Sequence, residues 1–325
     1  MPNRADRHVI IRAPARLHMG FVDLHGGAGR RYGSLGLALD GPFTRLRLRR
    51  DSGVAAEGPD AARAARYATA LVERFNLSGG ARIDVEEAIP PHAGLGSGTQ
   101  LALAVGAGMA RLFGLDVRTV DVAAALDRGI RSGLGIGLFD QGGFVVDGGS
   151  AGDGVPPPVI ARQPFPSEWR LLLVFDHGRQ GAHGQAEIEK FAALLQFPEA
   201  DAGELCRLVL MCALPGVVQT DLEALGDAVG RIQARVGDHF ARVQGGRFAS
   251  PGVSRVLEWL GSRGLKAIGQ SSWGPTGFAV CPSDAVAKQL KAEAEARFGR
   301  EFGLDFAVTR ARNRGADVES VLPAH

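Results

Sequence analysis

Apolar positions along this chain change their period several times, and the changes mark its elements. Residues 9–13 form a short apolar strand that runs into Pro14-Ala15-Arg16-Leu17-His18-Met19-Gly20-Phe21. Residues 26–36 are glycine-rich, a hairpin or loop, with a strand at 35–39. Over 44–50, Leu46 and Leu48 alternate with Arg45, Arg47 and Arg49, the period of a half-buried strand. Helical spacing follows at 60–75, 101–113 and 120–130, with strands at 81–88 and 142–147. The Gly- and Pro-rich stretch 148–158 is the natural boundary. Beyond it, 169–175 reads as a buried strand and 184–195, 202–214, 222–243, 252–262 and 283–298 as helices. Short strands at 265–268, 277–281 and 302–309 complete the pattern. Interleaved strands and helices in two halves predict an α+β protein with a cleft between two domains, residues 1–155 and 156–325.

Bulk properties narrow the function classes. With 45% hydrophobic and 22% charged residues among 325, the chain has ample core for two modest domains. A net charge of +2 gives no electrostatic case for nucleic acid or a membrane surface. No window approaches the roughly 18–20 apolar residues of a membrane span, and the N-terminal segment lacks the apolar core of a signal peptide. Three cysteines without zinc spacing read as reduced thiols, so a cytoplasmic location is expected. Of 37 basic residues only four are lysine, and arginine forks suit phosphate and carboxylate groups.

The most informative stretch is Pro90-Pro-His-Ala-Gly94-Leu-Gly96-Ser97-Gly98-Thr99-Gln100, between a strand and an apolar helix. Glycines at the mouth of a helix leave backbone N–H groups bare, and with the helix dipole these make a site for phosphate or pyrophosphate. Ser97 and Thr99 add hydroxyls, and Gln100 closes the motif. Four other segments carry candidate chemistry. Arg16 and His18 stand where a strand turns into a polar elbow. Asp140 and Gln141 follow a glycine run, so Asp140 is either a reactive carboxylate or a turn cap. Ser271 and Ser272 precede Trp273 in a stiff loop whose aromatic face suits a ring or packs between domains. His177, Arg179 and His183 form a basic cluster, a phosphate clamp or a solvated loop.

Pro90-x-x-x-Gly94-Leu-Gly-Ser97 resembles the central motif of the GHMP superfamily, named for galactokinase, homoserine kinase, mevalonate kinase and phosphomevalonate kinase. That resemblance implies an N-terminal domain like domain 2 of ribosomal protein S5 and a ferredoxin-like C-terminal domain. In the kinases a second serine usually follows; here Gly98 stands in its place. Four motifs in order are similar to one branch, the β-ribofuranosylaminobenzene 5′-phosphate synthases of methanopterin biosynthesis. They are Arg16-Leu-His18-Met-Gly-Phe-x-Asp23, Gly94-Leu-Gly-Ser-Gly-Thr-Gln100, Gly137-Leu-Phe-Asp140-Gln141-Gly-Gly-Phe144 and Ser271-Ser272-Trp-Gly-Pro-Thr276. This branch implies condensation of 4-aminobenzoate with 5-phosphoribosyl 1-diphosphate, releasing CO2 and pyrophosphate. It also implies a homodimer, Mg²⁺ as cofactor, no ATP, and Asp140 as the carboxylate facing developing positive charge, directly or as a metal ligand. Gly94 to Gln100 would hold pyrophosphate; Arg16, His18, Gln141, His177, Arg179, His183, Ser271 and Ser272 would serve the phosphate and benzoate groups. The alternative is an ATP-dependent small-molecule kinase of the same superfamily, and a ligand-binding protein without catalysis is a third reading.

Overall fold

A computed structural model describes residues 8–181 and 184–321. The elements in chain order are β1 (His8–Asp23), β2 (Tyr32–Asp51), β3 (Ala55–Glu57), α1 (Ala61–Arg74), β4 (Gly80–Glu87), α2 (Ser97–Phe113), α3 (Thr119–Ala125), α4 (Leu134–Gln141), β5 (Phe144–Asp147) and β6 (Val159–Gln163). Then come β7 (Arg170–Asp176), α5 (Gly184–Ala192), α6 (Glu199–Leu208), α7 (Leu214–Val218), α8 (Leu222–Gln244), α9 (Pro251–Ser262), β8 (Ile268–Gln270), β9 (Gly277–Cys281), α10 (Asp284–Ala294), α11 (Arg300–Phe302), β10 (Leu304–Thr309) and β11 (Asp317–Val321). Short π-helical turns, Val209–Ala213 and Glu295–Gly299, carry α6 into α7 and α10 into α11.

The first sheet runs β11-β1-β2-β4-β3, with β5 on β2 and β6 on β5. The strands expected at 35–39 and 44–50 are one, because β1 pairs with β2 along its whole length across two register shifts. On its other edge β2 takes β5 at residues 34–37 and β4 at 45–51. The second sheet, β10-β7-β9-β8, is antiparallel and backed by α9 and α10, the ferredoxin-like arrangement implied above.

Two strands beyond residue 155 join the first sheet. Both β6 and β11 belong to the first sheet, since β5 needs a partner on its free edge and β1 takes β11 at residues 8–12. Arg310 and Arg312 secure this return by ion pairs of 3.1 and 3.3 Å to Asp40 in β2.

Helix α2 lies in the first core, with Leu101, Ala102, Leu103, Ala104 and Val105 all at 0–1% exposure. A second apolar cluster is continuous across the two halves: Leu17, Met19, Leu35 and Leu37 meet Leu171, Leu173, Val229, Ile232 and Phe278. The halves therefore share a core rather than face each other across an open cleft, and the candidate site lies where their loops meet.

Candidate active site

After β4 the chain reaches α2 through residues 88–96. Gly94 (φ 81°) and Gly96 (φ 75°) are both left-handed. A Cβ on Gly94 would stand 2.2 Å from the Ser271 carbonyl oxygen, and one on Gly96 2.9 Å from Arg16 Nε. Conformation and close approach thus both demand glycine here. Gly96 caps α2 without any side-chain cap. The first helical bond runs from Gln100 N–H to Gly96 O at 3.0 Å. The N–H groups of Ser97, Gly98 and Thr99 precede it, so helix pairing leaves them unused at the positive end of a 17-residue helix.

Strand β1 supplies the next wall. Arg16 N–H donates to Leu95 O at 2.9 Å, which ties the strand to the loop and lays the Arg16 side chain on Gly96. His18, 3% exposed, donates its backbone N–H to Ser271 Oγ at 3.0 Å, and Ser271 Oγ donates to Gly94 O at 2.8 Å. One hydroxyl thus joins β1, the glycine loop and the 271–276 turn. Burial, then the Arg16 charge, holds the His18 imidazole well below its ordinary pKa, so the ring is neutral.

Beyond His18 the wall is aromatic. The imidazole lies 4.7 Å from Phe21, Phe240 lies 4.4 Å from Trp273, and Trp273 lies 5.1 Å from Phe191. His18, Phe21, Phe240, Gln270, Ser272 and Trp273 line a small cavity of about 30 Å³. Trp273 Nε1 is buried there without a partner. Gln233 braces the wall, donating to Met19 O at 2.8 Å and accepting from Gln270 N–H at 2.9 Å.

Other expected residues fall elsewhere. The loop meets the N-terminal end of α4, where Gln100 Nε2 donates to Gly135 O at 2.8 Å and a Cβ on Gly135 would stand 2.7 Å from Thr99 Cγ2. Asp140 and Gln141, expected as the catalytic carboxylate and its neighbour, are exposed at the opposite end of α4. Thr119 Oγ1 donates to the Asp140 carboxylate at 2.6 Å. Desolvation of that carboxylate, outweighing the Thr119 bond, raises its pKa even though the residue as a whole is exposed.

His177 pairs with Asp305 at 2.9 Å, and Arg179 sits 3.7 Å from Asp176 and donates to Ala249 O at 3.3 Å. Their turn meets the loop where Gly181 N–H donates to His92 O at 2.9 Å. His183 lies outside the described residues. Among the described residues no three His, Cys, Asp or Glu side chains gather as a metal site. The donors at the loop are N–H groups and hydroxyls, which suit an anion, so no protein cage for Mg²⁺ is assembled there.

Sequence reading missed Gly135, hidden in a glycine run whose packing partners are distant in the chain, and Gln233, which has no local signal. It also missed Arg63, whose Nη1 lies 3.3 Å from where a Cβ on Gly98 would stand. The clue was Gly98 itself, the departure from the kinase pattern.

A glycine loop on a buried helix, a strand elbow beside it and a ferredoxin-like second sheet define a class, and comparison with known proteins agrees. The GHMP kinases N terminal domain family matches residues 61–148, and the GHMP kinases C terminal family matches 213–300. Solved structures with this fold include homoserine kinase from Cytophaga hutchinsonii (TM-score 0.69, 17% identity, covering 98% of this chain and 99% of that one). Mevalonate diphosphate decarboxylase from Staphylococcus aureus is another (TM-score 0.67, 12% identity, 96% and 98%).

Closer in sequence are two curated relatives, each named beta-ribofuranosylphenol 5'-phosphate synthase. That of Archaeoglobus fulgidus is 35% identical, covering 95% of this chain and 99% of its own; that of Methanothermobacter thermautotrophicus is 31% identical, covering 95% and 98%. The chain belongs to the GHMP superfamily and, within it, to the family of these synthases.

Proposed function

We propose that the protein joins 5-phosphoribosyl 1-diphosphate to a para-substituted benzoate, releasing pyrophosphate and CO2. The relatives are named for a ribosylphenol, which corresponds to 4-hydroxybenzoate as acceptor. A para hydroxyl and a para amino group both donate electrons to the ring, so the same chemistry serves 4-hydroxybenzoate and 4-aminobenzoate. The observation that carries the reading is the junction of an unpaired helix N-terminus with an aromatic wall, Arg16 and His18 lying between them.

The bonds balance without any further reactant. The C1–O bond of the donor breaks and its electron pair leaves with pyrophosphate. The ring carbon bearing the carboxylate bonds to C1, and the para substituent carries the resulting positive charge. Cleavage of the ring–carboxylate bond releases CO2 and returns its pair to the ring.

The residues divide this work. Ser97, Gly98 and Thr99 N–H groups meet the leaving charge where it develops, and the Arg16 guanidinium adds to them. His18, held neutral, orients by hydrogen bonding and packing rather than by charge. Phe21, Phe240 and Trp273 present a face for the ring. Mg²⁺ belongs to this reading as the partner of the donor's diphosphate, which supplies oxygen ligands that the loop does not.

The test is release of labelled CO2 from carboxyl-labelled 4-hydroxybenzoate and 4-aminobenzoate, with donor and Mg²⁺ and without ATP. Donor-dependent release is expected, faster from the hydroxy acid. No release from either acid, with ADP formed in an ATP screen, would return the chain to the kinases.

A further inference from the structure

Beside the first turn of α2 lies a second group of polar side chains that the reaction above leaves unused. Arg63 and Tyr67 occupy successive turns on one face of α1, and Arg128 follows α3. A Cβ at Gly98 would stand 3.3 Å from Arg63 Nη1 and 3.9 Å from Tyr67 Oη. The Arg128 guanidinium lies 5.4 Å from the centre of the Tyr67 ring. Three atoms of this group, Arg63 Nε, Tyr67 Oη and Arg128 Nε, are buried without a hydrogen-bond partner, and Tyr67 as a whole is 7% exposed.

Leaving a buried donor unpaired forfeits its hydration with nothing in return. Three such atoms in one place, adjoining a helix N-terminus, are therefore a costly arrangement for packing alone. Every one of them can donate, and guanidinium groups cannot accept. The Asp60 carboxylate pairs with the far end of Arg63, offsetting one positive charge and fixing the fork so that Nη1 turns toward Gly98. What remains is one net positive charge from the side chains, a phenol and the helix dipole, with Arg63 and Tyr67 beside Gly98 and Arg128 on the Tyr67 ring. The complement is an anionic oxygen cluster.

We propose that Arg63, Tyr67 and Arg128 hold the distal phosphoryl group of the leaving diphosphate, while the Ser97–Thr99 N–H groups hold the proximal one. The inference rests on the functional reading above and deepens it. Contiguity selects the diphosphate over the 5-phosphate. Arg63 and Tyr67 adjoin Gly98 directly, as the second phosphoryl group of a diphosphate adjoins the first, whereas a ribose ring would separate the 5-phosphate from C1. Gly98 then acquires a reason, since a serine side chain there would stand between the two halves of the anion site.

Calorimetric titration of the full chain with inorganic pyrophosphate, orthophosphate and ribose 5-phosphate tests this, comparing the wild type with Arg128→Gln, Tyr67→Phe and Gly98→Ser. The expected result is a pyrophosphate Kd raised about 10-fold or more by Arg128→Gln and about 3-fold by Tyr67→Phe and Gly98→Ser. Orthophosphate and ribose 5-phosphate should change less than about 2-fold. Without ligand, Tyr67→Phe should melt no lower than the wild type, because it removes an unpaired hydroxyl, yet it should lose part of the shift that pyrophosphate induces. A merely structural tyrosine would show the reverse. Unchanged pyrophosphate affinity in Arg128→Gln and Tyr67→Phe overturns the proposal, as does a selective loss of ribose 5-phosphate. Donor-dependent CO2 release by the wild type decides the functional reading separately, whatever these titrations give.

Discussion

Helix α4 treats its two ends in opposite ways. At its start, Gly135 admits Thr99 and accepts from Gln100, and the buried Asp147 accepts from Ser132 Oγ at 2.9 Å and from Gly149 N–H at 3.0 Å. At its end, Asp140 and Gln141 face outward and Thr119 occupies the Asp140 carboxylate. The carboxylate that draws attention in the sequence lies at the outer end, while the residue that meets the glycine loop at the inner end is Gly135. Glycines flanking Asp140 serve close packing: a Cβ on Gly137 would stand 2.5 Å from Val159.

The comparison can be broken at several points. Gly94→Val should have the largest effect, because its Cβ would meet the Ser271 carbonyl at 2.2 Å and displace the loop. Donor-dependent CO2 release should fall about 100-fold or more, with initial rates as the readout. At the inner end of α4, Gly135→Ala forces Thr99 to move and should cost about 1–3 kcal/mol in stability, measured by denaturant unfolding. A variant as stable as the wild type would show that this end has slack. Ser271→Ala removes the strut among three segments and leaves Gly94 O short of a donor, a loss of about 1–3 kcal/mol. Its signature should be a weakened donor KM as well as a lower melting temperature.

The pH dependence follows from His18, whose folded pKa lies well below 6.5. Below the unfolded value the unfolded chain binds a proton that the folded chain refuses. Stability should therefore fall as pH drops from about 6.5 toward the folded pKa, by up to about 1.4 kcal/mol per pH unit. His18→Gln should flatten that slope in unfolding curves recorded from pH 7 downward; an unchanged slope would mean that the ring is protonated in the fold. The smallest effect belongs to the outer end of α4. Asp140→Asn should shift stability within about 0.5 kcal/mol and leave CO2 release nearly unchanged, and a collapse of turnover would restore the role that the sequence suggested.

Much of the fold was legible because its signals are local. The Leu46/Leu48 alternation marks the second half of β2, the run from Leu101 to Phe113 marks α2, and Ser250-Pro251 opens α9 with Ser250 Oγ accepting from Val253 N–H. Helix α4 was not legible, since three of its eight residues are small or polar breakers by propensity and it forms by packing against β1, β2, α2 and β5, most of them distant in the chain. Strands β6 and β11 were equally silent: they are short, partly exposed, and exist by pairing with edges far off in sequence.

The sequence by itself determined that a glycine turn would open a buried helix and leave N–H groups outside helix pairing, because glycine conformation and helix end chemistry depend on neighbours in the chain. It also determined family membership, through motifs in order. Only the tertiary structure decided which polar residues stand beside that turn. Arg16, His18 and Ser271 come together through hydrogen bonds linking residues as much as 253 positions apart. Asp140, His177 and Arg179 instead take Thr119, Asp305 and Ala249 O as partners, none of them marked in the local sequence. Long-range contacts are selected by the packing of a shared core, and that packing has no local signature.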